Sequence, residues 1–225
     1  MRIVVIGANG ATGQEIVTQA LAAGHSVIGA VRRPETLAHI KGVEVAKIDL
    51  SNPDTLATAM QGADAVISAL GHGGLGASMK FTTLYSDAAR NIRHAMRRTG
   101  VKRIIVLSSG GTVDNPKAPS FYTKLLRRLL INTYVDMARM ETILEETNDL
   151  DWTVVRLTYL LKGPSMPFLA EEGMLSRGNF KIHITDAARF IVSELAARNW
   201  IKARPVLGYD KGAKVRDNAT STAVV

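Results

Sequence analysis

A single α/β domain built on a doubly wound parallel sheet is what this sequence predicts, and three observations carry the prediction. The chain opens with an apolar run, Arg2-Ile-Val-Val-Ile6, that leads directly into Gly7-Ala-Asn-Gly10-Ala-Thr-Gly13. Short β-branched runs then alternate with amphipathic helical stretches as far as residue 208, the pattern of parallel strands joined by right-handed crossovers. The length, 225 residues with 46% hydrophobic side chains, suffices for one sizeable core and no large second domain.

Each element follows in order along the chain. Arg2–Ile6 is the first strand, and after the glycine loop a helix is expected over 14–23, ended by Gly24-His25. Residues 26–31 form the second strand and 43–47 the third. Ser51-Asn52-Pro53-Asp54 supplies a cap and a first-turn proline for a helix to Met60. Asp64 precedes a fourth strand at 65–69. Residues 80–99 have the period of a long amphipathic helix, and 103–107 is a β-branched run suited to the middle of a parallel sheet. Helix is expected over 121–147 with a break near Ile131-Asn132, and a sixth strand over 152–156. Thr185-Asp186 is expected to cap a helix from Ala187 to Ala197, and 204–207 to form a last edge strand. This assigns residues 1–208 to one Rossmann-like dinucleotide-binding domain, with a small substrate-loop region at about 157–184. The remainder, 209–225, is polar and small beyond Asp210 and is expected to be a flexible tail.

The glycine loop requires its residue types. A tight turn after a strand needs glycine, a pyrophosphate approaches backbone N–H groups only where no Cβ intervenes, and a helix N-terminus supplies partial positive charge. On this reading Gly7 makes the turn, Gly10 admits the phosphate and Gly13 lets helix pack on sheet, with Asn9, Ala11 and Thr12 completing the cradle. About twenty residues on, the second strand ends at Arg32-Arg33. Sites that prefer NAD(H) place an acidic residue there for the ribose 2′-hydroxyl, whereas arginine offers a planar fork to a 2′-phosphate. NADP(H) is therefore the expected cofactor over NAD(H).

Ligands in such sheets bind beyond the carboxyl ends of the strands, which singles out Asp49, Leu50, Ala69, Leu70 and Gly71 as further cofactor contacts, and the pair Ser108-Ser109 as the chemical centre. His72, Tyr134 and Tyr159 are candidates for a substrate pocket; Arg139 is a weaker one. The loops at 71–79, 111–120 and 162–179 are where substrate specificity is expected to reside.

Composition excludes several classes. With no cysteine there is no disulfide framework, thiolate nucleophile or cysteine-ligated metal, and the five histidines form no helical ligand pair, so no metal is expected. A strand starting at residue 2 leaves no room for a cleavable signal, and no apolar run has the length of a membrane span; a cytoplasmic protein without membrane association is expected. The formal net charge of +8 is concentrated at Arg32-Arg33, around Arg90, Arg93, Arg97, Arg98, Lys102 and Arg103, and at Lys124 with Arg127-Arg128. Aromatic interleaving is sparse, so a solvated face and attraction for an anionic cofactor are expected, not specific nucleic-acid binding.

Taken together, the glycine triplet, the arginine pair, Ala69-Leu-Gly71, Ala89-Arg-Asn-Ile92, Leu107-Ser-Ser109, Asp151-Trp-Thr-Val-Val-Arg156 and Ile184-Thr-Asp-Ala187 resemble an atypical short-chain dehydrogenase/reductase, more narrowly the NmrA-like and biliverdin reductase B (flavin reductase) proteins. One departure bears on chemistry. That superfamily usually carries Tyr and Lys four apart, but four residues after Tyr85, Tyr122, Tyr134, Tyr159 and Tyr209 stand Ala89, Leu126, Ala138, Gly163 and Ala213. Reducing an isolated ketone calls for a proton donor, whereas a flavin, quinone or linear tetrapyrrole delocalises the incoming charge and collects its proton from water. The resemblance thus implies hydride transfer to a small delocalised acceptor, flavin among them. It also implies that Ser109, assisted by Ser108, hydrogen-bonds substrate or nicotinamide. A non-catalytic NADP(H) sensor of NmrA-like type would equally lack the Tyr/Lys pair and is the alternative; an epimerase-like or RNA-associated relative ranks behind both. Arg156, followed in relatives by proline, is followed here by Leu157. Monomer and homodimer both remain open.

Overall fold

The computed structural model describes residues 1–71, 79–116, 127–176, 178, 180–212 and 214. Its strands are β1 Arg2–Ile6, β2 Ser26–Val31, β3 Val43–Lys47, β4 Ala65–Ser68, β5 Arg103–Ser109, β6 Asp151–Leu157, β7 Tyr159–Leu161, β8 Leu169–Glu172, β9 Lys181–His183 and β10 Pro205–Gly208. Its main helices are α1 Ala11–Ala22, α2 Pro53–Met60, α3 Leu84–Thr99, α4 Ile131–Glu145 and α5 Ile184–Ala197. Eight strands make one sheet in the order β3-β2-β1-β4-β5-β6-β10-β8, while β7 and β9 pair separately. Every pairing in the large sheet is parallel except β10 with β8. The chain winds outward from β1 in one direction and from β4 in the other, so the crevice above β1 and β4 is the topological switch point.

Alternation along the strands divides the core into two layers. Ile3 and Val5 of β1 face a cluster with Ile16, Val17, Ile105, Val155 and Ile191, beneath α1 and α5. Val4 and Ile6 face the opposite cluster with Leu56, Ile92, Met96, Ile104 and Leu144, beneath α2, α3 and α4.

Several boundaries differ from expectation, each for a physical reason. Helix α1 begins at Ala11, three residues before the expected start, because Gly13 is drawn into the helix by close packing despite its poor helix propensity. Helix α3 begins at Leu84, not Lys80. Its start is fixed from outside: the buried Asp136 carboxylate of α4 accepts from the N–H of Tyr85 at 2.8 Å and from the Ser86 hydroxyl at 2.5 Å. A separate turn at Arg127–Leu129 precedes α4, which places the break at Leu130, one residue from the expected site; of the expected helix, 121–126 lie outside the described residues.

Thr185 and Asp186 do not cap α5 but lie in its first turn, with His183 at the cap position. Asp186 is fully buried and gathers the loop before it, accepting from Ser165 Oγ, Met166 N and Tyr209 Oη at 2.8, 3.0 and 2.5 Å. Tyr209 thus closes the domain instead of opening the tail: its hydroxyl also accepts from His183 N at 2.9 Å, and burial with the Asp186 bond pushes its pKa up. Finally, β10 is not an edge strand, because β8 pairs along it from Pro205↔Glu172 to Gly208↔Leu169. The three- and four-residue β7, β8 and β9 lack the β-branched runs that marked the similarly short β4 and carry too few alternations to register in sequence.

Candidate functional site

A cavity of about 550 Å³ opens over the switch point. Its floor is the turn from β1 into α1, where Gly7 adopts φ +78°. A Cβ on Gly7 would stand 2.5 Å from Ala69 O, and one on Gly13 would stand 2.2 Å from Gly7 O. Both glycines are therefore dictated by protein packing, and Gly13 holds helix to strand without lining the cavity. Gly10 differs: a Cβ there would meet only Gly7 O, at 3.5 Å, yet Gly10 lines the cavity beside Asn9, Ala11 and Thr12. Among the described residues no packing contact requires glycine at this position, and its backbone is left open to the cavity. The helix end agrees. Gly10 gives α1 no side-chain cap and the first turn holds no acidic residue, whereas Asn52 caps α2 by accepting from Asp54 N at 2.9 Å. The donors at the start of α1 are thus left to the cavity.

At the cofactor end, Arg32 and Arg33 follow β2 and line the same cavity with exposed side chains. Among the described residues neither forms a salt bridge. By contrast, the basic face of α3 is largely paired: Arg90 with Asp87, Arg97 with Asp149 and Arg98 with Asp54. Leu50 and the Ala69-Leu70-Gly71 turn line the wall as expected. Asp49 does not. Its carboxylate accepts from Ser51 N and Oγ at 2.9 and 2.7 Å. Those bonds, with the charge of Arg32, hold its pKa below the ordinary value. Ile48, which ends the approach from β3, lines the cavity in its place.

At the far end, Ser108 and Ser109 both reach the cavity from the tip of β5, but their hydroxyls have different employment. Ser108 is buried and donates to Glu141 Oε1 at 2.6 Å. Ser109 accepts from Gly111 N at 3.1 Å, which leaves its own O–H available to a ligand. Tyr134 and Tyr159 line the cavity as expected, while His72 lies outside the described residues and Arg139 does not line it. The remaining wall at this end mixes apolar Leu84, Leu130, Met137, Leu157 and Leu160 with Tyr85, Thr133 and Thr158, none of which the sequence singled out for the site. Leu157 continues β6 in register with Ser109.

The arrangement joins an uncapped helix N-terminus and two guanidinium groups that form no salt bridge among the described residues to a compartment lined by apolar side chains and the hydroxyl-bearing Ser109, Thr133, Tyr134, Thr158 and Tyr159, an arrangement that suits a dinucleotide. Residues 7–198 match the profile of a family described as NAD(P)H-binding. This chain belongs to that family. Its fold is shared with solved oxidoreductases and short-chain dehydrogenase/reductases. It is similar to the photosystem II assembly factor Ycf39 of Synechocystis, at 26% identity over 92% of this chain and 63% of that protein, so it spans under two thirds of that relative's length. Among solved structures it superposes on a candidate NADH-flavin reductase of Streptococcus pneumoniae with TM-score 0.74, 23% identity, and 93% and 100% of the two chains covered. It likewise superposes on a short-chain dehydrogenase/reductase of Veillonella parvula in complex with NADP, with TM-score 0.75, 19% identity, and 97% and 98% covered. No helix among the described residues is long and apolar enough to cross a membrane, and no group of three or more metal-ligating side chains is found among them.

Proposed function

We propose that the protein is a cytoplasmic NADP(H)-dependent reductase that passes hydride to a small, flat, electron-delocalised acceptor such as a flavin. The single observation that carries this reading is the cavity itself, with Arg32 and Arg33 at one end, free of salt bridges among the described residues, and the Ser109 hydroxyl in a largely apolar compartment at the other. The residues fit the cofactor class: Gly10 is a glycine that no protein contact demands, and the α1 N-terminus lacks a cap. Bound NADPH supplies the hydride. The chain's own part is positional. Backbone donors at 11 and 12 take the pyrophosphate, with Gly10 leaving room for it while its own N–H donates to Gly7 O; the arginines take the 2′-phosphate, and Ile48 and Leu50 flank the adenosine half.

At the reaction end, Ser109 donates a hydrogen bond to the nicotinamide amide or to the acceptor. Leu130, Tyr134, Met137 and Leu160 exclude water from one side and offer a flat molecule an apolar seat. No proton donor is demanded of the protein, in keeping with the absence of a Tyr/Lys pair. The NADH-flavin reductase description of one structural neighbour and the NADP of another agree with this assignment.

A second reading, an NADP(H)-binding sensor without turnover, is favoured by one observation: Ycf39 is named as an assembly factor, not for an activity. Turnover separates the two. Purified protein with NADPH is offered flavin mononucleotide, a short-chain quinone and biliverdin while nicotinamide absorbance is followed. Acceptor-dependent loss of absorbance supports the reductase; NADPH binding without oxidation by all three supports the sensor.

A further inference from the structure

Behind the serine pair lies a buried carboxylate that neither the cofactor cradle nor the apolar wall uses. Glu141, on the inner face of α4, is 4% exposed. Arg156 at the end of β6 grips it with Nε at 3.2 Å from both oxygens and Nη2 at 2.5 Å from Oε2. The other guanidinium nitrogen of Arg156 donates to Gly173 O at 3.0 Å, and Arg204 Nε lies 3.6 Å from Glu141 Oε2. Withdrawing a carboxylate from water is costly unless it is paired and its lone pairs are filled, and here they are filled from the tip of β5. Oε1 accepts from Ser108 Oγ at 2.6 Å and from Thr112 Oγ1 at 3.2 Å. Thr112 Oγ1 also lies 2.9 Å from Ser109 O, and Ser109 Oγ accepts from Gly111 N within the same short turn, Gly110–Thr112.

From this convergence we propose that Glu141 is a positioning residue that selects Ser109 over Ser108 as the ligand-facing hydroxyl and fixes the turn that carries it. By occupying the Ser108 proton, Glu141 removes the first serine from contact with ligand. The single Thr112 hydroxyl proton is shared between the Ser109 carbonyl and Glu141 Oε1, which ties the turn carrying Ser109 to the carboxylate and so sets where the Ser109 O–H can point. Arg156 supplies the counter-charge to the buried carboxylate. The role rests on the reading that places Ser109 at the reaction centre.

A double-mutant cycle tests it. Thr112→Val removes only the hydroxyl between carboxylate and turn and leaves the Glu141–Arg156 pair in place; Glu141→Gln removes the charge. Each is combined with Ser109→Ala in the full chain, and flavin mononucleotide turnover and NADPH affinity are measured. A residue that acts through Ser109 loses its effect once Ser109 is alanine. Thr112→Val is expected to lower kcat at least five-fold alone and less than two-fold in the Ser109→Ala background, with the NADPH Kd unchanged within three-fold throughout. Multiplicative losses in kcat, or a loss confined to NADPH Kd, overturn the proposal and leave Glu141 a structural tie. If Glu141→Gln fails to fold, Glu141→Asp, which keeps the charge for Arg156 and shortens the reach to Ser108 and Thr112, replaces it in the cycle with the same expected and overturning results. If the unmodified protein binds NADPH and reduces no acceptor, the reductase reading falls instead. The same cycle is then read on the fluorescence of bound NADPH, where a Thr112→Val shift that vanishes with Ser109→Ala supports positioning and one that persists unchanged overturns it.

Discussion

Alanine at Gly10 and alanine at Gly13 should have opposite consequences, although both residues belong to one loop of seven residues. At Gly10 the backbone has φ −73° and ψ 160°, which alanine adopts freely, and the new Cβ would find its nearest neighbour, Gly7 O, at 3.5 Å. Loss of unfolded-state freedom favours the variant by about 0.4–1 kcal/mol. The poorer standing of alanine at a helix cap offsets this by a similar amount. Stability should therefore stay within about 1 kcal/mol of the unmodified protein, a shift in Tm of about 2–4 °C at most for a chain of this size.

At Gly13 the Cβ would stand 2.2 Å from Gly7 O and 2.9 Å from Ala8 Cα. These are backbone atoms of a turn already set against Ala69, so they cannot withdraw. Overpacking of this kind costs about 3 kcal/mol at the upper end, against a helix-propensity gain of about 1 kcal/mol. The net loss of about 2 kcal/mol should lower Tm by about 4–8 °C. Thermal unfolding with and without NADPH reads both effects, since ligand at a hundred-fold excess over Kd stabilises the folded state by about 2.7 kcal/mol. Gly10→Ala should unfold near the native temperature but lose most of that ligand-induced rise. Native-like NADPH binding by Gly10→Ala would refute the role given to the loop, and native-like stability of Gly13→Ala would refute the packing explanation.

Other consequences are as direct. Arg32→Ala with Arg33→Ala should weaken NADPH by about 1.5–3 kcal/mol for each charged hydrogen bond lost and leave NADH nearly untouched, as calorimetry of the two cofactors would register; equal losses for both would remove the 2′-phosphate assignment. Tyr209→Phe deletes the hydroxyl between Asp186 and His183 N and should cost about 1–3 kcal/mol, measurable by urea unfolding; an unaffected midpoint would return residue 209 to the tail. The Arg97 hydrogen bond holds the Asp149 carboxyl down at about 2, below its ordinary 3.8. A carboxyl depressed on folding stabilises above its unfolded value, and that stabilisation fades as pH falls from about 4 to about 2. In Asp149→Asn the acid-unfolding profile should flatten in that window; an identical profile would show the exposed pair to be energetically idle.

The parts of this molecule that were legible in sequence are those with a repeating signal or a demanding local chemistry. Strands β1 to β6 announce themselves by β-branched runs, and the Gly7-Gly10-Gly13 spacing by its fixed geometry. Most of the residues expected around the cavity do line it, because strand ends in a doubly wound sheet must converge there. What escaped is of two kinds. Strands β7, β8 and β9 are three or four residues long and acquire their pairing from partners distant in sequence, β8 from β10 and β9 from β7.

The buried charges are the second kind. Glu141 shares its helix face with Met137 and Leu144, at spacings of four and three, and Asp136 lies among Thr133, Met140 and Ile143. A carboxylate on an apolar helical stripe is a visible signal, but it says only that a partner exists; that the partners are Arg156 and Ser108 in one case and the start of α3 in the other emerges only in three dimensions. Asp49 failed for the reverse reason. It occupies a strand end as the topology requires, yet Ser51, two residues on, claims its carboxylate locally.

The most direct test of the central claim is a calorimetric titration of the purified protein with NADPH and, separately, NADH, followed by addition of flavin mononucleotide to the NADPH-loaded sample. NADPH binding at least ten-fold tighter than NADH, with nicotinamide oxidation that begins on adding flavin, is the predicted result. Equal affinity for the two cofactors, or no binding of either, would contradict the account of the cavity and of the arginine pair that guards it.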